Sequence, residues 1–516
     1  MGSCRDMHAE GPSPGPSSLT RRQVLQGAAA LAASSFLSGC GSSIHSTTTT
    51  LITSSGANPQ PTPAGPITQS SLTVTASTSA SIGPAFAGLS YEKDALFDPV
   101  FNASNRNLIG MFNRLGPSVL RIGGNSVDRN VWTPNGAGQT EGQIAPRDVD
   151  ALAAFLQATG WQCLYGVNLG GAASGATTPA LAAAEVAYVS QKLGSSLLGI
   201  EIGNECDLYG DAGNYFAGNW SLSQFLALWG QFRSAIVAAT PTVAVTGPGD
   251  SDNVTTWTIP FGQAETKSEI TLLTQHYYRA DGELASSTAE LLISPDPSLV
   301  SELATLQAGA KGVGVPYRMA ECNSFYNDGA TGVSNSYASS LWVIDYLFNC
   351  AQGGASGVNF HGGGNSPGYT PIADDNGVVI GARPEFYGIL LFTLAGQGSL
   401  YNANLQAADL NATAYAVSTA SGALNLVVVN KDLTQNLALT VQLPQTINSA
   451  TLLAMTQLST GATEPSLAAT SGVSIQGASV QPDGGFSPSA AYTLTTNGAQ
   501  LTCYVPALSA VLIQIA

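Results

Sequence analysis

The sequence predicts an α/β protein: a (β/α)8, or TIM, barrel followed by an antiparallel β-sandwich at the carboxyl end. Between residues 85 and 398, short apolar runs alternate with longer amphipathic ones, which is typical of repeated β/α units. Polar side chains cluster just after several of the apolar runs, as they do at the carboxyl ends of barrel strands. From about residue 400, alternating apolar runs separated by Gly, Asn, Ser and Pro replace the helical patterns, and these predict a sandwich.

Eight apolar runs are predicted as the strands of the barrel. In chain order they are Phe86–Tyr91, Val119–Gly123, Gln162–Asn168, Leu198–Gly203, Val243–Gly247, Leu272–His276, Tyr317–Ala320 and Gly357–Phe360. Between them, helical periodicity is visible over Asp148–Thr159, Leu181–Lys192, Leu222–Ala239, Pro297–Ala310 and Ser336–Cys350. The alternation of the two kinds of segment is what predicts parallel strands joined by helices.

The first 40 residues are predicted to be a twin-arginine lipoprotein signal peptide and not part of the fold. Arg21 and Arg22 precede an apolar run, Gly27–Leu37, that is too short to span a membrane as a mature helix. The run ends in Leu-Ser-Gly-Cys40, which resembles a bacterial lipobox with Cys40 as the lipidated residue. The alternative is an ordinary cleaved signal with an incidental cysteine. We expect export by the twin-arginine route and a lipid anchor that holds the protein to the cell envelope.

Composition then divides the remaining chain into a tether and two folded regions. Residues 41–70 are rich in Ser, Thr, Pro and Gly without periodicity, which predicts a flexible linker. Residues 71–84 contain a strand-like alternation that we expect to join the sandwich. The barrel is assigned to residues 85–398 and the sandwich to residues 399–516.

The charge and the cysteine content exclude several classes of protein. With 17 Lys and Arg against 33 Asp and Glu, the net charge is −16, so a nucleic-acid partner is not expected. The five cysteines after Cys40 are odd in number and show no CxxC spacing, which argues against a disulfide framework or a zinc site. The folded part contains two histidines, His276 and His361, too few for a histidine-rich metal cluster. We therefore expect no metal and no cofactor.

The stretch Leu197–Cys206 predicts a functional site. Its apolar first half is typical of a buried strand, and it ends in Asn204 and Glu205, which a core strand does not need. Alternation places Glu201 and Glu205 on one face, and because a buried ionised carboxylate is costly unless it is paired, two of them on one strand suggest a site. The structural alternative is a strand that runs out into a polar turn.

A second strand, Tyr317–Ala320, also ends in a carboxylate, Glu321. Because barrel strands bring their carboxyl ends to one face, Glu205 and Glu321 are predicted to face each other there. Two carboxylates on either side of one substrate bond are the groups that a glycosidase uses.

With these residues in view, the sequence resembles glycoside hydrolase family 79, the family of β-glucuronidases and heparanase, within the retaining clan of (β/α)8 glycosidases. The resemblance covers roughly residues 70 to 516. The motifs that carry it are Ser90-Tyr-Glu92, Leu120-Arg121-Ile-Gly-Gly-Asn125-Ser126, Glu201-Ile-Gly-Asn204-Glu205, Glu321-Cys-Asn-Ser324 and Asn359-Phe-His361-Gly-Gly.

The resemblance implies that Glu205 is the general acid/base and Glu321 the nucleophile of a retaining glycosidase, with carboxylates about 5–5.5 Å apart. It also implies that Asn204 meets the 2-hydroxyl of the sugar. A tyrosine after the sixth strand, Tyr278 in preference to Tyr277, is expected to hydrogen-bond the nucleophile. Glu92 and Asn125, from the first two motifs, are expected among the substrate-binding residues.

Three further residues are expected to support the site from behind. Arg121 and Glu201 point inward at a similar depth and are expected to form an ion pair; the alternative is that one of them contacts His276 instead.

The resemblance also implies how a uronate carboxylate is held with few cations. Family members that take glucuronate grip it from the loop after the nucleophile strand, through a tyrosine hydroxyl and backbone amides. In this sequence Tyr326 matches the tyrosine, Gly329 or Asp328 offers the backbone N–H, and Tyr369 is the second expected hydroxyl. The side chain of Asp328 would repel a uronate, so we expect it to point outward.

Three functions follow from these residues, and they differ in class. The first is an exo-acting β-glucuronidase that removes terminal β-linked glucuronate or 4-O-methyl-glucuronate from a glycan or glycoside. The second is an endo-acting glycosaminoglycan hydrolase of the heparanase kind, which the scarcity of Lys and Arg disfavours. The third is a non-catalytic, glycan-binding surface lipoprotein. In each case the partner is a carbohydrate, and the membrane is reached only through the lipid anchor.

Overall fold

The computed structural model describes residues 58–98, 100–211, 213–218 and 220–516. The predicted signal peptide, Cys40 and most of the predicted linker lie outside these residues. In the described part, no helix is long and apolar enough to cross a membrane.

The described residues form nine α-helices and twenty-three strands. The helices are α1 Arg106–Leu115, α2 Pro146–Thr159, α3 Pro179–Leu193, α4 Leu222–Ala239, α5 Ile259–Glu269, α6 Ala289–Ile293, α7 Pro297–Val313, α8 Tyr337–Gln352 and α9 Pro384–Ala395. The first thirteen strands are β1 Ile67–Ile82, β2 Ala87–Glu92, β3 Val119–Gly123, β4 Val131–Trp132, β5 Gln143–Ile144, β6 Gln162–Val167, β7 Leu197–Ile202, β8 Val245–Asp250, β9 Leu272–Tyr278, β10 Tyr317–Asn323, β11 Val358–Gly362, β12 Ile372–Asp375 and β13 Val378–Ala382. The last ten are β14 Gly398–Gln406, β15 Ala412–Thr419, β16 Leu424–Asn430, β17 Asn436–Gln442, β18 Ala450–Gln457, β19 Val473–Ile475, β20 Tyr492–Thr493, β21 Thr495–Asn497, β22 Gln500–Val505 and β23 Ser509–Ile515.

Eight parallel strands close into a barrel in the order β2, β3, β6, β7, β8, β9, β10, β11, and β11 pairs in parallel with β2 to complete the ring. The predicted fold class is therefore confirmed, and each predicted barrel strand overlaps an observed one. The largest differences in bounds include the carboxyl ends of β8, β9, β10 and β11, which extend two or three residues beyond the predicted ends. The added residues do not follow a period-2 apolar pattern, because some of them, such as Tyr278 and Glu321, reach the site, whereas others, such as Tyr277 and Cys322, belong to the core.

A separate eleven-stranded sheet contains β1 and all ten strands from β14 to β23, whereas β4 with β5 and β12 with β13 form two small two-stranded sheets. Leu426, Leu439 and Leu501, from strands far apart in the order of this sheet, share one core, so the sheet folds over on itself. One pairing differs from the all-antiparallel prediction, because β1 runs parallel to β17 as well as antiparallel to β14. Parallel neighbours need a long crossover, and the whole barrel lies between these two strands in the chain.

The outer face of this sheet packs against the barrel helix α8. Phe348 stacks on Tyr415 with ring centroids 4.2 Å apart and planes 4° from parallel. The carboxylate of Asp345, on the same helix, accepts hydrogen bonds from Thr413 and Tyr415 and pairs with Lys431. These contacts attach the sheet to one side of the barrel. A cluster of polar residues lies at the carboxyl ends of the barrel strands.

Candidate active site

A buried arginine lies at the centre of the polar cluster. Arg121, on β3, is fully buried, and its Nε and Nη2 atoms lie 2.7 and 2.6 Å from Glu201 Oε2 on β7. Its Nη1 donates to Glu321 Oε2 on β10 at 2.6 Å. The predicted ion pair with Glu201 is present in the structure, and the same guanidinium also holds Glu321, which the sequence did not indicate. Because the guanidinium is always charged, it supplies a fixed cation to this carboxylate.

Arg121 also fixes the orientation of His276. Its Nη2 lies 3.2 Å from His276 Nε2, and because the guanidinium has only donors, this ring nitrogen must accept. The other ring nitrogen, Nδ1, therefore carries the hydrogen and donates to Glu205 Oε1 at 3.0 Å. The imidazole ring of His276 thus connects Arg121 and Glu205 by two hydrogen bonds, one at each ring nitrogen.

Glu205 follows β7 in a left-handed conformation, with φ of 45°. Such a backbone costs free energy in a non-glycine residue and persists only where the surroundings impose it. The N–H of Glu205 donates to the carbonyl of Gly249 at 2.8 Å, which ties this turn to β8. The turn places the carboxyl beside His276, at the mouth of the barrel.

The two glutamates are shifted in opposite directions. Burial raises the pKa of Glu205, and the negative charge of Glu321 adds to this effect against the hydrogen bond from His276. Burial would raise the pKa of Glu321 as well, but the charges of His361 and Arg121 and the hydrogen bond from Tyr278 outweigh it and hold this pKa well below its usual range. One carboxyl is therefore favoured as an acid and the other as a carboxylate.

The separation of the pair is short. One carboxylate oxygen of Glu205, one of Glu321 and a ring nitrogen of His276 lie within 4.8 Å of one another. Retaining glycosidases place their two carboxyl groups about 5–5.5 Å apart, whereas inverting ones leave about 6.5–9.5 Å for a water molecule.

The same three residues are also the one group among the described residues with a geometry suited to a metal ion. The guanidinium of Arg121 already contacts Glu321 and His276, so a divalent cation would have to sit beside a permanent positive charge. A proton on Glu205 suits this arrangement better than a metal ion does.

The structure distinguishes the two adjacent tyrosines of β9. The Tyr278 hydroxyl donates to Glu321 Oε1 at 2.8 Å. The Tyr277 hydroxyl donates instead to Asp296, away from the glutamates. The structure thus places Tyr278, which the prediction preferred, against Glu321.

Asn204 lies between Arg121 and the cleft. Its Oδ1 accepts from Arg121 Nη2 at 2.9 Å, and its Nδ2 donates to Asn125 Oδ1 at 3.3 Å. The carboxylate of Glu92 accepts from the backbone N–H groups of Asn125 and Ser126 at 3.1 and 2.7 Å. Glu92, Asn125 and Asn204 all line the cleft, as predicted for substrate-binding residues.

His361 is a site residue that the sequence reading noted after a strand but gave no role. It lies between two carboxylates, with Nε2 3.6 Å from Glu92 Oε1 and Nδ1 3.7 Å from Glu321 Oε2. Burial alone would lower the pKa of His361, but Glu321 and Glu92 raise it on balance. The signal that could have identified it is its position at the end of β11, in the Asn-Phe-His motif.

Tyr326 and Tyr369 lie together with Tyr278 on one side of the cleft. The ring centroids of Tyr326 and Tyr369 are 6.5 and 5.8 Å from that of Tyr278. The side chain of Tyr326 is exposed, and that of Tyr369 is half-buried. Three phenol groups thus face the space in front of Glu321.

The loop after Tyr326 presents backbone donors to the same space. Asn327, Asp328 and Gly329 have φ values of 57°, 58° and 85°, so three successive residues are left-handed. In the described structure, none of their N–H groups donates a hydrogen bond within the protein. A side chain at Gly329 would lie 2.7 Å from Ser334 Oγ, so only glycine fits. The side chain of Asp328 is exposed and belongs to the lining of the cleft.

The cleft that contains these residues has a volume of about 940 Å³. Its acidic lining residues are Glu92, Asp128, Glu205, Asp252, Glu283, Glu321 and Asp328, and its basic ones are Arg129 and His361. Asp128, Arg129, Asp252 and Glu283 were not expected from the sequence. Asp128 and Arg129 lie on a short 3₁₀-helix after β3, and Asp252 and Glu283 lie in the segments after β8 and β9, where no periodicity or motif identifies them.

A closed barrel of eight parallel strands with a carboxyl pair at its carboxyl end defines a glycoside-hydrolase-like protein. No protein-family model matches the chain. Over 348 residues the chain is 25% identical to a beta-glucuronidase of Aspergillus niger, covering 60% of this chain and 63% of that protein. The chain thus spans less than two thirds of the length of this relative. A beta-glucuronidase of Neurospora crassa is 36% identical over 75 residues, which are 14% of this chain and 13% of that protein.

Solved structures share the fold over most of the chain. A 4-O-alpha-L-rhamnosyl-beta-D-glucuronidase from Fusarium oxysporum superposes with a TM-score of 0.69 at 17% identity, covering 86% of this chain and 99% of that one. A family 51 arabinofuranosidase from Xanthomonas axonopodis pv. citri gives a TM-score of 0.60 at 15% identity, covering 87% of this chain and 100% of that one. The chain therefore has the barrel-and-sheet fold of these glycosidases, together with sequence similarity to fungal beta-glucuronidases.

Proposed function

We propose that the protein is a retaining exo-β-glucuronidase of glycoside hydrolase family 79 that releases terminal β-linked glucuronate or 4-O-methyl-glucuronate. The observation that carries the proposal is the pair Glu205 and Glu321, close together and with pKa values shifted in opposite directions. The sequence similarity to two fungal beta-glucuronidases supports glucuronate as the sugar.

In the proposed mechanism, the ionised Glu321 attacks the anomeric carbon while Glu205 gives its proton to the departing glycosidic oxygen. The bond from carbon to the leaving group breaks as the bond to Glu321 forms, which produces a glycosyl ester. Glu205, now a carboxylate, takes a proton from water, and the oxygen of that water displaces Glu321 from the same face as the original leaving group. The configuration is retained, and both carboxyls return to their starting states.

The surrounding residues supply charge and orientation for these steps. Arg121 and Tyr278 each donate a hydrogen bond to one carboxylate oxygen of Glu321. These bonds stabilise the ionised form of the nucleophile and also restrict the rotation of its carboxylate. His276 donates to Glu205 and positions the acid without a direct contact to the sugar. Asn204 lines the cleft, and its Nδ2 has a second hydrogen, besides the one donated to Asn125 Oδ1, that suits a sugar hydroxyl acceptor.

The uronate carboxylate is proposed to lie against Tyr326, Tyr369 and the unpaired N–H groups of residues 327–329. The free donors of this loop support this placement, since a carboxylate is held strongly by several N–H and O–H donors. The acidic lining of the cleft disfavours the alternative of a heparanase-like enzyme, because a polysulfated chain would meet a surface with seven acidic residues.

The test separates the roles of the two glutamates. Glu321→Ala should remove turnover of an aryl β-glucuronide while the protein stays folded by circular dichroism. Glu205→Ala should still react with substrates that have good leaving groups, and added azide should accelerate it and give a β-glucuronyl azide. An α-glucuronyl azide from the Glu205→Ala variant would reverse the assignment of the two roles. If the Glu321→Ala variant turned over substrate as fast as the unmodified enzyme, this pair of glutamates would be excluded as the catalytic site.

We also propose that Cys40, which lies outside the described residues, carries the lipid that anchors the protein to the cell envelope. Stable anchoring requires more than one acyl chain, as a bacterial lipoprotein has. In membrane fractionation, the protein should be found with membranes and Cys40→Ala should release it or block its processing. Soluble mature protein that still contains an unmodified Cys40 would contradict the proposal.

A further inference from the structure

A second cavity of about 430 Å³ adjoins the main cleft. The two spaces share Asp128, Arg129 and Tyr215 among their lining residues, so they meet at these residues. The remaining lining residues of the second cavity have small or aliphatic side chains, namely Val131, Gly171, Ala173, Ser174 and Ala176. The space in front of the two glutamates is therefore larger than one sugar needs.

Arg129 is a free cation where the two spaces meet. Its side chain is exposed, and in the described part of the chain it makes no ion pair or hydrogen bond. Its neighbour Asp128 does not neutralise it, because the Asp128 carboxylate is buried and accepts from the N–H groups of Leu169 and Gly170 and from the hydroxyl of Tyr209. Among the residues that line the cleft, Arg129 is the permanent cation in a predominantly acidic surface.

Tyr215 lines the same two spaces as Arg129 and offers a fixed aromatic surface. Its ring packs so closely over Gly170 that a side chain there would lie 2.8 Å from a ring carbon. Its ring centroid is 5.0 Å from that of Tyr209, in an edge-to-face arrangement. The hydroxyl of Tyr215 has no hydrogen-bond partner among the described residues. The fixed ring of Tyr215 offers an apolar surface to a sugar ring, and its free hydroxyl and the free guanidinium of Arg129 can donate to an anionic group. Together they suit a sugar that carries such a group.

The position of Arg129 separates it from the sugar that reacts. Asn125, which contacts Asn204, begins a short 3₁₀-helix that ends at Arg129. Four residues at a rise of about 2.0 Å place the backbone of Arg129 roughly 8 Å further along. An anion held by Arg129 thus belongs to a neighbouring sugar residue and not to the one between Glu205 and Glu321.

We propose that Arg129 and Tyr215 form a second sugar subsite, which takes an acidic sugar residue linked to the glucuronate that reacts. The proposal rests on the proposed function for the identity of the first sugar. It makes the preferred substrate an oligosaccharide with at least two carboxylates and not an isolated glucuronide. The ring of the second residue lies against Tyr215, and its carboxylate pairs with Arg129.

The test measures affinity in the Glu321→Gln background, so that no probe is consumed. The probes are free glucuronate, a disaccharide of two β-linked glucuronates, and the two disaccharides in which one or the other residue is glucose. Isothermal titration calorimetry should show that the di-glucuronate binds about tenfold more tightly than the counterpart with glucose in the second position. Adding R129Q should remove this tenfold advantage, whereas adding R106Q, which removes an exposed arginine of α1 outside the cleft, should leave it intact.

Each other outcome decides against a specific part of the argument. A di-glucuronate that binds no better than both counterparts, or an advantage that survives R129Q, overturns the subsite. An equal loss of affinity for free glucuronate in R129Q means that Arg129 holds the reacting sugar, which also overturns it. The proposed function is tested separately, by turnover of an aryl β-glucuronide by the unmodified enzyme. An enzyme that fails there while R129Q still removes the tenfold advantage would refute the glucuronidase and leave the subsite standing.

Discussion

Replacing Tyr278 by Phe should move the acidic limb of the pH–activity profile to higher pH. The Tyr278 hydroxyl donates to Glu321 Oε1 at 2.8 Å in a buried setting. A hydrogen bond to a charged group is worth about 1.5–3 kcal/mol, and one pKa unit corresponds to about 1.4 kcal/mol. Loss of this bond should therefore raise the pKa of Glu321 by about one to two units. Because Glu321 must be ionised to attack, activity disappears as the pH falls through this pKa, and the higher value brings the loss to higher pH.

The assay is kcat/KM on an aryl β-glucuronide across acidic and neutral pH, which reports the ionisations of the free enzyme. Tyr277→Phe is the matched control, because the neighbouring hydroxyl donates to Asp296 and does not contact Glu321. The control should keep the acidic limb of the unmodified enzyme. If Tyr278→Phe leaves both this limb and the maximal rate unchanged, the hydroxyl does not support the nucleophile. If both variants shift the limb equally, the effect comes from general disturbance of β9.

Two further changes test the sugar site and the frame around it. Tyr326→Phe should lower kcat/KM on an aryl β-glucuronide about tenfold or more, since it removes a donor to the carboxylate, and should scarcely affect an aryl β-glucoside; equal losses on both substrates would exclude the contact. Lys93→Met should lower the free energy of unfolding in urea by about 3–5 kcal/mol, because it leaves the buried Glu185 without the cation that lies 2.7 Å away. Lys192→Met, in an exposed pair, should change it little, and equal effects of the two lysine variants would contradict this reasoning.

The barrel was predictable because its signals are local. Each strand is a short apolar run, and the polar residues after it stand out against that run. Glu205 and Glu321 could be singled out in this way, and the structure brings them within reach of each other. The sequence also marked Arg121 and Glu201 as inward-facing, since a charge inside an apolar strand needs a partner.

The partners of these charges were less predictable, because they depend on which strands become neighbours across the barrel. Nothing in the sequence shows that the guanidinium of Arg121 contacts Glu321 as well as Glu201. The same holds for His361, which contacts Glu92 and Glu321 only after β11 closes against β2. Residues of short connecting segments, such as Arg129 at the end of a 3₁₀-helix, carry no periodic signal, so their place in the cleft follows from the tertiary structure alone.

The charges of the site also explain why the pKa of Glu205 is raised whereas that of Glu321 is lowered. Arg121 and Glu201 form a close pair and cancel each other. The raised pKa of His361 favours its protonated form, which offsets either Glu92 or Glu321 but not both. One uncompensated negative charge therefore remains even with Glu205 neutral, and ionising Glu205 would add a second within 4.8 Å of Glu321. Once Glu321 is consumed as an uncharged ester, that repulsion disappears, and Glu205 becomes a stable carboxylate at the stage of the proposed reaction that requires a base.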